Sequence, residues 1–270
     1  MPYTSNRGVR IYWEEEGQGD PLLMIMGLGC CLRMWHSVRP ALAQHFRLIL
    51  FDNRGVGSSA SPRGPHWISA MARDAAAVLD AAGVESAHVL GVSMGGMIAQ
   101  EFALRFPSRV RKLVLGCTTS NGFPLHADFR AIWTLLPKFG APREAQFEAM
   151  MPFLFQPGTP RDRIEADAAV LRANFPPRSA FLAQLAGILA WRSYRRLPRI
   201  QAETLVIHGL EDRLVPVQNG RIVARRIPAS KLVLIPDANH MFPTDQPEAS
   251  MSAILGFLCS GAGSQPAAGS

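Results

Sequence analysis

One stretch, Gly91-Val92-Ser93-Met94-Gly95, decides the fold of this chain. The apolar run before it, residues 86–90, predicts a buried parallel strand, and residues 96–106 after it have the apolar spacing of a helix. Ser93 therefore lies at the tip of a strand–turn–helix, where a tight turn favours a positive φ. Glycines two residues to either side let the flanking backbones pass closely, because side chains there would collide. The hydroxyl is then held clear of the sheet, at a helix N-terminus that favours negative charge.

The sequence on both sides of this turn alternates between short apolar runs and helical spacing. This alternation predicts an α/β fold, a mostly parallel sheet with helices on both faces. The predicted strands cover residues 8–15 (an edge strand), 21–26, 46–51, 86–90, 112–116, 204–208 and 231–235. The predicted helices among them cover residues 35–45, 68–82, 96–106, 217–226 and 247–258.

The alternation is interrupted over residues 119–199, where we find no strand pattern. Helices are predicted there at 127–137, 142–154, 161–173 and 179–191, separated by proline and glycine. We therefore predict an α/β core formed by residues 1–118 and 200–259 with a helical insertion at 119–199. Residues 260–270 are rich in Gly, Ala and Ser and are predicted to be a disordered tail.

The composition limits the class of protein. Of the 270 residues 48% are hydrophobic, which suits one large domain. The net charge of +7 comes mostly from arginine, without a basic run interleaved with aromatic residues, so we expect no nucleic-acid partner. No apolar run approaches the length of about 18 residues that a membrane span needs, and no signal-peptide pattern is present, so we expect a cytoplasmic protein without membrane association.

The four cysteines, Cys30, Cys31, Cys117 and Cys259, form no C-x-x-C pair. Neither a zinc site nor a disulfide framework is therefore predicted, and we expect reduced thiols with structural roles. Because no cluster of metal ligands is evident along the sequence, we expect neither a metal nor a cofactor.

A serine is a weak nucleophile unless a base activates it and an acid orients that base. Asp212 and His240 follow the predicted strands 204–208 and 231–235, at the carboxyl edge where ligands bind in open α/β sheets. The chain order Ser93, Asp212, His240 is the order expected for this type of turn.

Other acids and histidines compete for these roles. Glu211 and Asp237 are alternatives to Asp212, which we prefer because it lies further along its loop and has room to reach the imidazole. His208 ends a strand inside an apolar run, so a structural role is predicted for it.

The chain resembles the α/β-hydrolases, in particular those with a serine nucleophile and a helical cap, over residues 8–258. The motifs that carry the resemblance are GLG at 27–29, DNRGVGSS at 52–59, GVSMGG at 91–96, HGLEDRLVP at 208–216 and NH at 239–240. The resemblance implies the α/β-hydrolase fold, with the insertion as a cap over the serine. It implies that Ser93 attacks the substrate, that His240 accepts and returns the proton, and that Asp212 holds the imidazole. It also implies an oxyanion hole formed by the backbone N–H groups of Leu28 and Met94.

Two positions refine the resemblance. The family usually has His-Gly where this chain has Met26-Gly27, which leaves the hydrogen bonding around the oxyanion hole to be defined by other groups. Arg54 lies in the turn after the strand 46–51, and we predict that it is a buried tie for this turn rather than a substrate ligand.

The implied cap is rich in large apolar side chains, most of which we expect in its own core and some around an acyl or ring pocket. They are Phe129, Trp133, Leu136, Phe139, Phe147, Met150, Met151, Phe153, Leu154, Phe155, Phe181, Leu185 and Trp191. The same segment carries many arginines, which leads to the hypothesis of an anionic substrate or an acidic acyl-carrier partner.

The function predicted from these features is cofactor-independent cleavage of a small-molecule carboxylic ester, lactone or thioester. Related alternatives with the same three residues are a cofactor-free perhydrolase or haloperoxidase and a C–C hydrolase. An alternative of another class is a hydrolase-derived ligand-binding or non-hydrolytic tailoring protein. A homodimer is compatible with the sequence.

Overall fold

The computed structural model describes residues 2–135 and 143–260, and across these residues it contains one sheet of eight strands. The strands are β1 (Tyr3–Asn6), β2 (Val9–Glu16), β3 (Asp20–Ile25), β4 (Phe46–Phe51), β5 (Ala87–Val92), β6 (Val110–Gly116), β7 (Glu203–Gly209) and β8 (Ser230–Ile235). Their order across the sheet is β1-β2-β4-β3-β5-β6-β7-β8. The pairs β1–β2 and β2–β4 are antiparallel and all other neighbours are parallel, which confirms the predicted fold class.

Helices cover both faces of this sheet. They are α1 (Arg39–Ala43), α2 (Ile68–Ala81), α3 (Met94–Arg105), α4 (Phe129–Leu135), α5 (Arg143–Leu154), α6 (Arg161–Asn174), α7 (Arg178–Leu189), α8 (Gln218–Arg226), α9 (Phe242–Asp245) and α10 (Pro247–Leu258). Met71 of α2 packs with Ile98 and Phe102 of α3 in one apolar cluster. Leu42 of α1 and Ile254 of α10 belong to a second cluster. The inner strands β3 to β7 are thus buried from both sides, which explains their continuous apolar runs.

The edge of the sheet and the first helix differ from the prediction, and the short helix α9 was not predicted. Residues 8–15 were expected to form the edge strand, but β1 pairs with β2 and is the edge itself. The strand β1 is polar and half exposed, so it has no apolar pattern to reveal it. The helix expected at 35–45 is only five residues long, since a 3₁₀ turn at Leu32–Trp35 precedes it and Pro40 starts a new helical segment.

The helices α4 to α7, which we call the cap helices, lie between β6 and β7 in the sequence. The described part of this insertion contains no strand apart from an isolated bridge between Asn121 and Arg192. The predicted helix ends at 137 and 142 fall outside the described residues, as does the tail after residue 260. The division into domains at residues 118 and 200 stays a prediction.

None of the helices within residues 2–135 and 143–260 combines the length and the apolar content needed to cross a bilayer.

Candidate active site

The turn between β5 and α3 has the strained geometry that its sequence predicts. Ser93 has φ 55° and ψ −121°, and the helix begins directly after it at Met94. A Cβ atom on Gly91 would lie 2.3 Å from the carbonyl oxygen of Gly95, and one on Gly95 would lie 2.0 Å from the carbonyl oxygen of Ile25. Both glycines are therefore required by close backbone approaches, and the predicted positive φ of the serine is confirmed.

Hydrogen bonds from β6 and the loop after it fix the backbone of Ser93. The N–H of Ser93 donates to the carbonyl of Gly116 over 2.8 Å, and the Thr118 hydroxyl donates to the carbonyl of Ser93, also over 2.8 Å. The side chain faces the loop after β3, since a Cβ on Gly27 would lie 3.7 Å from Ser93 Oγ.

The two predicted oxyanion donors are available for a ligand. Leu28 lies in the loop after β3 and Met94 is the first residue of α3, so its N–H has no partner within the helix. Among the described residues, neither N–H donates to any acceptor. Their pairing around an oxyanion stays a prediction, which the position of the Ser93 side chain supports.

The loop that carries Leu28 is held by two buried amides. Asn53 Nδ2 donates to the carbonyl of Met26 over 2.9 Å. Gln184, on the cap helix α7, accepts from the N–H of Gly29 through Oε1 and donates to the carbonyl of Arg54 through Nε2, both over 2.9 Å. These bonds define the loop where the family's histidine is replaced by Met26. They also connect the loop directly to the cap helices.

Asp212 and His240 lie 28 positions apart in the sequence but contact one another. Asp212 Oδ2 lies 2.9 Å from His240 Nδ1, and both side chains are buried. Asp212 Oδ1 accepts from the backbone N–H groups of Leu214 and Val215 over 2.9 and 2.8 Å. The carboxylate is therefore fixed in orientation, and its bond places a proton on Nδ1 that leaves Nε2 free to accept one.

The electrostatics of this pair stabilise a positive charge on the imidazole. Burial opposes ionisation of Asp212, but the charge and hydrogen bonds of His240 and His208 outweigh it and lower the pKa of Asp212 to about 2. Burial likewise opposes charge on the imidazole, yet Cys117 and Asp212 raise the pKa of His240 well above its ordinary value. A carboxylate beside a basic imidazole is the arrangement that stabilises an imidazolium when it forms.

The alternative acids serve other contacts. Glu211 accepts a hydrogen bond from the N–H of Ala238 over 3.1 Å and so braces the loop that carries His240. Asp237 is exposed and has φ 51° at the tip of a turn. Of the three acids considered, Asp212 is the one in contact with His240 among the described residues.

His208 has a structural contact, as predicted, and a second one that sequence did not indicate. Its Nε2 donates to the carbonyl of Val215 over 2.7 Å and lies 3.3 Å from Asp212 Oδ2. The side chain thus ties the Asp212 loop back to the end of β7 and adds a polar neighbour to the carboxylate.

Cys117 was expected to be a structural thiol, yet it lies beside the acid–base pair. It follows β6 with φ 39° and is buried. Its Sγ, a ring nitrogen of His240 and a carboxylate oxygen of Asp212 all lie within 4.8 Å of one another. Three possible metal ligands are thus brought together by the fold, although they are widely separated along the sequence.

Ser93 and His240 line the same cavity, but no hydrogen bond joins them among the described residues. Such bonds are often long without substrate and tighten in the complex with it. Ser93 and His240 are therefore brought to one cavity, and Asp212 contacts the imidazole of His240, while the contact between Ser93 and His240 stays open.

The cavity above Ser93 has a volume of about 310 Å³ and an apolar wall. Among the described residues that line it there is no lysine, arginine, aspartate or glutamate. The apolar lining residues include Met34, Leu154, Leu171, Phe181, Leu185 and Ile188. The core and the cap helices both contribute to it, as expected for a pocket beneath a cap.

Two aromatic residues expected in the cap core or the pocket lie elsewhere. Phe129 is 80% exposed and Trp133 is 64% exposed, whereas Phe155 and Trp191 are buried as expected. Leu136 and Phe139 lie outside the described residues, and the side chain of Phe147 is not described.

Arg54 is a structural residue, as predicted. Its Nε and Nη2 donate to the two carboxylate oxygens of Asp74 on α2 over 2.7 and 2.6 Å, and both residues are buried. Asn6 donates to the same carboxylate over 2.6 Å. This paired group fastens the turn after β4 to α2.

The site therefore combines a serine on a strained turn between strand and helix with an Asp–His pair at the same edge of a parallel sheet. The chain belongs to the family with the alpha/beta hydrolase fold, which it matches over residues 20–247.

Individual relatives differ in their named activities. The chain is 35% identical over 262 residues to a protein of Azorhizobium caulinodans named "putative carbamate hydrolase RutD", with 95% of this chain and 98% of the relative covered. It is 32% identical to a poly(3-hydroxyalkanoate) depolymerase of Ectopseudomonas oleovorans, with 88% and 84% covered. A solved structure of Est816, described as an N-acyl homoserine lactone degrading enzyme, superposes with a TM-score of 0.83 at 30% identity, with 95% of this chain and all of that chain covered.

Sequence reasoning missed Cys117 and Gln184. Cys117 follows a predicted strand at the carboxyl edge, which is the same signal that identified Asp212 and His240. Gln184 gives no such signal, because its contact depends on how the cap helices dock.

Proposed function

We propose that this protein hydrolyses a carboxylic ester or lactone whose acyl part is apolar and uncharged. The observation that carries the proposal is the hydrogen bond between Asp212 and His240 beside a cavity that Ser93 also lines. The apolar wall of that cavity supports the substrate class.

Each residue has a defined role in the proposed reaction. Ser93 Oγ attacks the acyl carbon while His240 Nε2 takes the hydroxyl proton, and Asp212 stabilises the imidazolium. The N–H groups of Leu28 and Met94 donate to the oxyanion, and losing one such donor typically costs about 3–4 kcal/mol. His240 returns the proton to the leaving group, and water then releases the acyl group by the same steps.

The absence of charged side chains from the described wall argues for an uncharged acyl group. A carboxylate buried there would lose its hydration without gaining a partner, which costs several kcal/mol. None of the cap arginines with described side chains lines the cavity, so the anionic-substrate hypothesis gains no support from it. Two relatives are named for a polyester and for a lactone, and both of these contain the proposed ester bond.

The role of Ser93 is tested by hydrolysis of p-nitrophenyl butyrate. Ser93→Ala is expected to lower kcat/KM by at least about a thousandfold, since it removes the hydroxyl that forms the acyl-enzyme in the proposed reaction. Ser37→Ala is the matched control, because Ser37 lines the same cavity without belonging to the proposed machinery. Full activity in Ser93→Ala would refute the proposal.

The substrate class is tested with a series of p-nitrophenyl esters. Each CH₂ group buried in the apolar wall contributes about 0.8 kcal/mol, or about fourfold in kcat/KM, so octanoate is expected to exceed acetate by at least about tenfold. The succinate monoester matches butyrate in chain length but ends in a carboxylate, and we expect it to react at least about a hundredfold more slowly. Preference for the succinate ester would exclude an uncharged substrate.

A further inference from the structure

The group formed by Cys117, Asp212 and His240 contains more donors than the proposed hydrolysis uses. Its three candidate ligand atoms lie within 4.8 Å of one another, and all three residues are buried. The hydrolytic mechanism assigns roles to Asp212 and His240 but none to the thiol.

We propose that Cys117, Asp212 and His240 form a binding site for Zn²⁺, and that the occupied site is incompatible with ester hydrolysis. Only the second statement rests on the proposed function, since binding of the ion can be measured without a substrate.

The donor set suits this ion. Zinc in proteins is bound by thiolate, imidazole and carboxylate, mostly with four ligands in a tetrahedron. Tetrahedral bonds of ordinary length place the ligand atoms about 3.4–3.6 Å apart. The 4.8 Å limit on the three separations is compatible with this after small side-chain movements. The Nδ1–Oδ2 distance of 2.9 Å would have to widen if these two atoms were the ligands.

The charge of the site also balances. A dication in an apolar cavity would be costly unless anionic ligands compensate for lost hydration. The carboxylate of Asp212 supplies one negative charge. The thiolate of Cys117 supplies the second when the thiol releases its proton to solvent on binding. Because Cys117 and His240 line the cavity, the ion has a route of entry and a water molecule can be its fourth ligand.

Zinc binding and hydrolysis exclude one another because they need the same imidazole. If zinc is bound at Nδ1, on the side of the ring that faces Asp212, the hydrogen bond between His240 and Asp212 is lost. The proton of Nδ1 then moves to Nε2, which can no longer accept the Ser93 proton. Zinc binding therefore prevents general-base catalysis.

Cys30 provides a matched control within the same cavity. It lines the cavity but does not belong to the group of three donors. Burial raises the pKa of the Cys30 thiol to about 12, which disfavours the thiolate that zinc requires.

The experiment is a zinc titration of the full chain without a histidine tag, in competition with a chromophoric zinc indicator. We expect the wild type to bind one equivalent and Cys117→Ala to bind at least about a hundredfold more weakly, since even outer-shell partners of zinc ligands are worth about 10–100-fold. Cys117→Ser, which nearly keeps the side-chain volume, should show the same loss, while Cys30→Ala and Ser93→Ala should bind like the wild type. Addition of Co²⁺ should produce thiolate-to-metal charge-transfer absorption that Cys117→Ala lacks.

Several results would overturn the proposal. They are the absence of stoichiometric binding by the wild type, undiminished binding by both Cys117 variants, or ester hydrolysis that continues at full rate with zinc bound. A chain that binds zinc but cleaves no ester would support the site and refute the proposed function, whereas an esterase that binds no zinc would do the reverse.

Discussion

Two adjacent carboxylates, Asp212 and Glu211, contact different groups. Asp212 reaches His240, whereas Glu211 holds the N–H of Ala238. The difference comes from the turn after β7, where the N–H groups of Leu214 and Val215 point at Asp212 Oδ1 and fix its direction. Of these two carboxylates, only Asp212 can therefore orient the imidazole of His240.

Asp212→Asn is expected to lower kcat/KM by at least about a thousandfold, because an amide can stabilise the wrong tautomer of His240 and carries no charge to balance the imidazolium. Glu211→Gln removes a neighbouring charge of the same sign and should leave kcat/KM near the wild-type value. Both variants are assayed with p-nitrophenyl butyrate. Equal losses would mean that the acid was assigned incorrectly.

Gln184, on the cap helix α7, holds the loop after β3 that carries Leu28, which we call the oxyanion loop. We therefore expect Gln184→Leu to lower kcat by at least about tenfold with a smaller change in KM. Its control is Gln100→Leu. Gln100 is equally buried, and it donates to the Thr119 carbonyl over 3.1 Å and accepts from Ser193 Oγ over 2.7 Å, away from the loop. Both variants leave buried groups unpaired and should lose stability by about 1–3 kcal/mol for each group. A similar fall in kcat for both would show that Gln184 acts through stability alone.

The sequence indicates the residues of the site that follow strands, and it fails for those whose contacts depend on docking. Ser93, Asp212 and His240 each follow a recognisable strand, so the shared edge of a parallel sheet predicts their proximity. Cys117 occupies the same kind of position, but a thiol there has no role in the expected Ser–His–Asp group, so this signal was not used for it. Gln184 reaches the site from an inserted helix, whose orientation is set by tertiary packing.

At the scale of elements, α3 connects the nucleophile to the segment that ends the cap. Its Glu101 is buried and accepts from Trp191 Nε1 over 2.9 Å, from Arg105 Nε over 2.5 Å and from Arg196 Nη2 over 2.8 Å. The helix therefore follows Ser93 directly at its N-terminus and binds the last residues of the insertion through the side chain of Glu101.

Glu101→Gln is expected to lower the free energy of unfolding by about 1–3 kcal/mol at neutral pH. Burial opposes the charge of Glu101, but Arg196, Trp191 and Arg105 outweigh it and lower the pKa. A carboxylate with a lowered folded-state pKa contributes stability above its unfolded value of about 4.5, and this contribution is lost as pH falls through the folded value.

Urea unfolding at neutral pH and well below pH 4.5 checks this expectation. The difference between wild type and Glu101→Gln should shrink at the lower pH, and the exposed Glu85→Gln should resemble the wild type at both. A difference that persists in acid would assign the loss to packing rather than to charge.

Element prediction succeeds where burial creates a pattern. Strands β3 to β7 are mostly buried and have apolar runs, and the half-buried edge strand β8 keeps such a run, so each was found from the sequence. The strand β1 was missed because its residues alternate between exposed and half-buried positions without apolar side chains. The length of α1 was overestimated, because the 3₁₀ turn before it continues the same helical spacing.

In the whole molecule, parallel strands bring separate segments of the chain to one edge. The carboxyl ends of β3, β5, β6, β7 and β8 carry the oxyanion loop, Ser93, Cys117, Asp212 and His240 in that order. Five segments that are far apart in sequence therefore meet through topology alone. For this reason the positions of the site residues that follow strands can be predicted from the sequence. The wall of the cavity cannot be predicted in this way, because it depends on the packing of the cap helices.

The central claim is that Ser93 is a nucleophile activated by His240, and covalent labelling with a fluorophosphonate followed by peptide mass mapping tests it most directly. The wild type should gain one phosphonyl group on Ser93, Ser93→Ala should gain none there, and His240→Ala should react at least about a thousandfold more slowly. A label found on another side chain, or an equal labelling rate in His240→Ala, would contradict the claim.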